Sequence, residues 1–518
     1  MKKAKSGAAL QKNFKDIFKM ESIPDFSHFY HFDIFVWKSL YKGFYKPWHK
    51  ILHSAAEEKC HIRDMERLNM AKAVCAELAN LIWLDKCNIC VYQIDGGNTL
   101  DSFVHDILLK NNFWHKMQEH IEKVLALGGG AIKVWYEEKR DSKGNIIPDC
   151  GQIKLDFCTA EQFIPTEWDN SEVRSGIFIS REEKGEYYYT RLEKHKWDGL
   201  TYYITNEAFR SKYNDNISQI SKVQNTLGFS QPLKDIYPML NPKTSIKGLT
   251  SSLFAYYRTA VVNNLDNDSP LGISIYANAL STLKALDICY DSFIQKLQLG
   301  ENCIITPSQC LRAANKHVTS DIQHNFDVND ETYVAVNTDI SNLTQISDNS
   351  IEPRIDEYER AINVLLAILC LQIGVSTETF TFDSSSGLKT NIESVRKNSK
   401  TYRTVKQNQF QIKNAVLKII DAIIQIGCLY DLEYNGQKVT ELAQMGWETK
   451  VVFDNSIFND RHDSINESIL LMKNGLMSKK KFMHDILCYT DDETMRELTD
   501  IQNEKIHFNT LNAAKENS

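Results

Sequence analysis

The sequence predicts an α+β fold of several domains, and three observations carry that expectation. The chain has 518 residues, more than one hydrophobic core organises, so about two to four domains are expected. Strand-like alternation concentrates between residues 131 and 210, with turn residues between the runs, as in an antiparallel meander. Two long helix-compatible runs, 272–298 and 354–374, enclose a β-rich insert. The apolar content of 42% and charged content of 25% are ordinary for a globular protein. The net charge of −7 argues against wholesale coating of nucleic acid, but not against transient DNA contact.

Residues 1–50 are Lys-rich as far as Lys19 and then aromatic, from Phe26 and Phe29 to Trp37, Tyr45 and Trp48. That composition favours docking onto a partner or onto the chain's own body. Helical spacing runs from Glu66 to Leu84 through Leu68, Ala71, Val74, Leu78 and Leu81, and Val91–Ile94 is strand-like. Phe103–Leu127 predicts one further helix, ended by Gly128, Gly129 and Gly130. A phosphate loop runs strand, glycines, helix; here the order is helix, glycines, strand, which reads as a helix cap and turn.

Strands are expected at Ile132–Glu137, Gln152–Phe157, Gly176–Glu182, Glu186–Glu193 and Gly199–Asn206. Ser269 and Pro270 then open the first long helix, about 40 Å at a rise of 1.5 Å per residue. Short strands at Cys303–Thr306 and Thr332–Val336 lead to the second helix. A small-residue loop at Thr379–Leu388 and a long helix from Thr390 to Gly427 follow. The first part of that helix is basic (Arg396, Lys397, Lys400, Arg403, Lys406) and its end is apolar. One more strand is expected at 447–455, and helices return from Arg461 to Asn503, broken at Gly475. The apolar run 361–375 is shorter than the ~20 residues a membrane span needs, and Asn363 and Gln372 interrupt it, so no membrane segment is expected.

Catalytic signatures are absent from the sequence. The twelve cysteines are scattered, and the C-x-x-C of Cys87 and Cys90 has no second pair to complete a zinc site. Reduced, buried thiols and a cytoplasmic origin are expected. Gly387-Leu-Lys-Thr390 has the wrong order for a nucleotide-binding P-loop. Asp149 followed by Lys154 resembles a nuclease pattern, but Gln152 stands where the second carboxylate belongs. Asp266 and Asp268 sit in a turn, where aspartate is the expected residue. His49 and His53 stand at i, i+4 without further ligands nearby, and read as surface or interface residues. No catalytic residue, metal or cofactor is expected.

A set of segments nevertheless resembles one family. They are Ala71–Asn80, Ala160–Thr166, Asn263–Ala279, Leu283–Asp287, Tyr290–Phe293, Ile355–Asn363, Gln372–Ser376 and Thr379–Thr390. In this order they are similar to the portal proteins of tailed phages and prophages of Gram-positive bacteria. Each motif is weak alone; their order covers about residues 35–490. The 300–350 segment departs most from the family pattern.

The resemblance implies a portal fold and a dodecameric ring at one capsid vertex, in the virion after assembly in the host cytoplasm. An arm would occupy 1–50. A wing of helices and antiparallel sheet would occupy 51–268 and 390–455. The two stem segments would be 269–299 and 351–376, the β-rich clip 300–350, the tunnel loop 377–389, and the crown and tail 456–518. Double-stranded DNA would pass Thr379, Thr381, Asp383, Ser384, Ser385, Ser386 and Lys389. Ring contacts would fall on Leu280, Leu283, Asp287, Tyr290 and Phe293 of the first stem helix and on Ile362, Leu366 and Leu369 of the second. Gln309, Arg312, Lys316, Asp327 and Asp330 of the clip would dock the terminase large subunit during filling and a head-completion or adaptor protein afterwards. Major capsid and scaffolding proteins would surround the ring, with no membrane involved. Two other readings stay open at this point: a DNA-processing enzyme such as a nuclease, and a capsid or head–tail structural protein without a DNA channel.

Overall fold

The computed structural model describes residues 12–13, 32–54, 60–83, 87–94, 97–138, 151–169, 172–199, 201–212, 226–266, 269–300, 304–307, 333–336, 347–348, 355–380, 399–444, 446–453, 468–485 and 494–502. The chain divides into two compact units, 1–383 with 400–453, and 384–399 with 454–518.

In the first unit, strand β1 (Lys12–Asn13) and helix α1 (Ile34–Tyr41) precede a hairpin of β2 (Lys50–Ser54) and β3 (Cys60–Asp64). Helix α2 (Met70–Ile82), strand β4 (Asn88–Gln93) and helices α3 (Thr99–Lys110) and α4 (Phe113–Leu127) follow. Helices α2 and α4 pack together through stripes at helical spacing: Ala71, Val74, Cys75 and Leu78 on one, Phe113, Met117, Ile121 and Val124 on the other.

The single helix expected over Phe103–Leu127 is thus two. The break is at Asn112, which has φ +52, a conformation asparagine tolerates better than most residues. The preceding Asn111 turns inward and donates to the carbonyls of Ile107 and Ile153, both at 2.9 Å. The helix expected from Glu66 starts only at Met70, because the amides of Glu66 and Leu68 donate to two distant carboxylates. The glycine run caps α4: Gly128 has φ +93 and donates to Val124 O at 2.8 Å.

The strands expected as one meander form two sheets. Strand β5 (Gly129–Glu137) pairs with β6 (Gln152–Thr159). Strands β7 (Phe163–Asp169), β8 (Glu172–Lys184), β9 (Tyr187–Trp197), β10 (Thr201–Lys212) and β11 (Thr226–Gln231) continue an antiparallel sheet in the order β1-β11-β10-β9-β8-β7. Strand β12 (Lys243–Lys247) lies beside β10. Strand β13 (Phe254–Arg258) completes the smaller sheet against β5. No expected strand corresponds to β7; its Pro165 is compatible with its place at the sheet edge. The two sheets meet at Phe163, Phe178 and Phe254, whose ring centroids are 4.9–5.5 Å apart.

Helix α5 (Leu280–Gly300) leads to β14 (Ile304–Pro307), β15 (Tyr333–Val336) and β16 (Ser347–Asp348), and helix α6 (Ile355–Ile373) returns. Strand β14 is central, parallel to β15 and antiparallel to β16. Helix α7 (Ser399–Leu429) then buries Ile412, Val416, Ile419, Ile420 and Ile423 within the unit. Gly427 lies inside α7 instead of ending it, and close packing accounts for the glycine: a side chain there would press on Val439 and Phe103.

A hairpin of β17 (Glu433–Tyr434) and β18 (Gln437–Lys438) turns at Asn435 and Gly436, both with positive φ, the signature of a two-residue type I′ turn. Helix α8 (Val439–Gln444) precedes β19 (Trp447–Val452), which pairs with β4. The second unit holds helical residues 468–473 and 494–502 and helix α9 (Lys479–Asp485), whose first turn is capped by Ser478 Oγ accepting from Lys481 N at 3.1 Å. Gly475, at φ +72, follows the first of these helices. No helix among the described residues is long and apolar enough to cross a membrane.

Candidate functional site

The antiparallel pair α5 and α6 is the most distinctive construction in the first unit, and it is seated by a buried extended segment. Residues 271–276, expected as helix, are not helical. Leu271, Ile273, Ile275 and Tyr276 are all buried there. The segment crosses the end of α4 so closely that only glycines fit. A Cβ on Gly272 would stand 2.1 Å from Gly128 O, and one on Gly128 would stand 2.4 Å from Gly272 O. Thr259 Oγ1 donates to Ile273 O at 2.6 Å, and Ile275 N donates to Leu125 O at 2.9 Å. These tertiary bonds occupy the backbone that a helix would have used, so α5 begins only at Leu280.

Helices α5 and α6 pack along their length. Leu283 and Leu286 of α5 are buried, as are Ile362, Leu366, Leu369 and Ile373 of α6. Near the β14–β16 end, the Phe293 and Tyr358 rings lie 5.5 Å apart, and the Lys296 ammonium sits 5.2 Å over Tyr358. At the other end α6 stops in a Schellman turn: Gly374 has φ +81 and Val375 N donates to Cys370 O at 2.9 Å. The basic start of α7 secures that turn. Lys400 Nζ donates to Leu371 O at 3.1 Å, Thr404 Oγ1 to Gly374 O at 2.5 Å, and Thr401 Oγ1 accepts from Ser376 N at 2.9 Å. A cation at the C-terminal carbonyls of a helix is also favoured by the helix dipole.

Two carboxylates one turn apart on α5 are buried against the N-terminal part of the unit. Asp287 accepts from His49 Nε2 at 3.1 Å and from Leu68 N at 3.0 Å. Asp291 accepts two bonds of 2.7 Å from the Arg63 guanidinium, and a third from Glu66 N at 2.9 Å. Arg63 is correspondingly held above its ordinary pKa, chiefly by the hydrogen bond to Asp291. His49, expected at the surface or at an interface, is 1% exposed. Its Nδ1 accepts from Tyr45 N at 2.8 Å, which leaves the proton on Nε2 for Asp287.

Further along, Tyr41 OH donates to Glu122 at 2.6 Å. Burial first, and then Glu122, push this phenol up to about 12. The outer face of α6 carries a second apolar stripe opposite the first: Val364 is 60% exposed, Ile368 39% and Leu371 57%. Ile288 on α5 is likewise exposed.

A family model described as phage portal protein, SPP1 Gp6-like, matches residues 31–507. The chain belongs to that family of phage portal proteins. No curated protein matches the chain significantly. The family is a structural one. Of the residues expected at its ring contacts, Leu283, Ile362, Leu366 and Leu369 are buried within the single chain, and Asp287 is bonded within it. Leu280, Tyr290 and Phe293 are half-buried. The run Ile362–Ile373 reads as apolar nearly all round, which suits contacts on two sides, but the expected contacts named its buried residues and not Val364, Ile368 and Leu371, which stand at i, i+4 and i+7.

Of the residues expected to face DNA, Thr379 ends a short 3₁₀ turn at Thr377–Thr379, and its Oγ1 is buried without a hydrogen-bond partner. Thr381, Asp383, Ser384, Ser385, Ser386 and Lys389 lie outside the described residues, as do Gln309, Arg312, Lys316, Asp327 and Asp330.

Proposed function

We propose that this portal protein forms a closed ring whose axial channel conducts double-stranded DNA during packaging and ejection, and that the α5–α6 pair is its stem. The observation that carries the reading is the two-sided apolarity of α6. One stripe holds α5, and the other faces away from its own chain. A ring requires a heterologous contact, in which one face of each subunit meets a different face of the next.

Helices α5 and α6 stand antiparallel, so a rotation axis along them keeps every residue at its own height. The helix-pair contacts place Phe293 and Lys296 level with Tyr358. Going back along α5 and forward along α6 by the same rise brings Ile288 to about the level of Val364. A neighbour's α5 could therefore cover the α6 stripe with Ile288.

The β14–β16 sheet joins the far ends of the two helices and is the docking platform for the packaging motor and later for head-completion proteins. Residues 377–389, which follow α6 in the sequence, are assigned to contact with the DNA. The chain's mild acidity suits a surface past which DNA slides without strong phosphate binding.

Deleting Thr381–Ser386 tests the channel reading in a phage complementation assay. Heads should assemble but fail to fill with DNA or to retain it. Unchanged DNA content would favour a head structural protein without a channel.

A further inference from the structure

We propose that residues 44–54 and 60–68 form a hinged strap that moves with α5, although the chain before and after it belongs to the α1–α2–α4 body. The strap leaves and re-enters that body at one point. Its two boundary residues, Gly43 and Asn69, both have left-handed backbones, with φ +81 and +52. They touch: a Cβ on Gly43 would lie 3.2 Å from the Asn69 side chain. Few residues need to change φ and ψ for such a neck to pivot, and the left-handed pair is where that change can be absorbed. Asn69 Oδ1 is also buried at the neck without a hydrogen-bond partner.

The ties on the two sides of the neck differ in kind. Outside it, α1 and α2 are fastened to α4. Tyr41 OH donates to Glu122, Lys72 pairs with the same carboxylate, and Val74, Cys75 and Leu78 are buried in the helix packing. Inside it, the strap is fastened to α5. His49 and the Leu68 amide hold Asp287, and Arg63 and the Glu66 amide hold Asp291. The Lys284 ammonium of α5 lies 5.9 Å over the Trp48 ring of the strap.

The strap also closes on itself, with Met65 N donating to His49 O at 2.7 Å and Arg67 5.0 Å over Phe44. Among its described residues it grips α5 through two buried carboxylates, and it joins the α1–α2–α4 body around Gly43 and Asn69, where Phe44 N also donates to Ser39 O at 3.0 Å. Any displacement of α5 carries the β2–β3 hairpin with it. Because coupling is reciprocal, a partner that grips the hairpin acts on α5.

This inference concerns the single chain and does not depend on ring formation. Native-state hydrogen exchange of the full protein at increasing, sub-denaturing urea tests it directly. The amides of Glu66 and Leu68 should open in one cooperative unit with the amides of 287–292, separately from those of 74–82. Opening of Glu66 and Leu68 together with 74–82 would overturn the proposal, as would a single opening of all three segments. In the Asp287→Asn/Asp291→Asn variant, exchange over 60–68 should accelerate about tenfold or more while 74–82 keeps its protection. Unchanged protection over 60–68 in that variant would also overturn it. The measurement on the unsubstituted protein decides the matter if the variant does not fold.

Discussion

His120 illustrates how single residues set the behaviour of the body. Its Nε2 donates to Cys158 O at 3.0 Å, and Tyr257 OH donates to its Nδ1 at 2.7 Å, so both ring nitrogens are occupied in the neutral form. Burial lowers its pKa from 6.5 to about 4. The folded value lies below the unfolded one, so the unfolded chain binds more protons between them. The stabilisation is complete above pH ~6.5 and is lost as pH falls toward ~4, by roughly 3 kcal/mol in all. His120→Gln should flatten that part of the pH profile, read from urea midpoints at pH 7 and pH 4.5. An unchanged slope would remove His120 from the account.

The same scale shows where sequence reasoning stops. His49 reads as a surface or interface residue because nothing near it in the sequence supplies a partner. Its partner Asp287 is 238 positions away, and no local pattern points there. Glu193 is similar. Burial would raise its pKa, but His195, Lys133 and Arg191 outweigh that and hold the carboxyl well below its usual range. Its three partners come from two sheets.

Elements were legible where periodicity alone decides them. Helix α6 starts and ends within a residue of its expected span because its apolar spacing and Gly374 both mark it. Helix α5 was placed eight residues too early, because a buried extended run and a helix share the same apolar composition. What separates them is the backbone crossing of Gly128 and Gly272, a tertiary fact.

The two stripes of α6 predict opposite behaviour. Leu366→Ala, at a fully buried position, should cost about 2–5 kcal/mol of stability in the single chain. Val364→Glu/Ile368→Glu, on the exposed face, should change that stability by only about 0.5 kcal/mol and yet abolish assembly. Thermal unfolding and native mass spectrometry separate the two effects. Normal assembly of the double variant would move the subunit contact away from α6.

At the scale of the whole molecule, family membership was legible and the interfaces were not. Weak motifs in a fixed order over most of the chain pointed to portal proteins, and the family match over residues 31–507 agrees. A subunit contact is a property of two chains, whereas one sequence shows only which positions are apolar. It therefore could not separate Leu366, which is buried in the single chain, from Ile368, which is exposed. The central claim is that the protein acts as a closed ring. Electron-microscope images of the purified full-length protein, viewed down the particle axis, test it most directly. The account predicts a rotationally symmetric ring with an open centre wide enough for duplex DNA. Particles that remain single chains, or that close without a central hole, would contradict it.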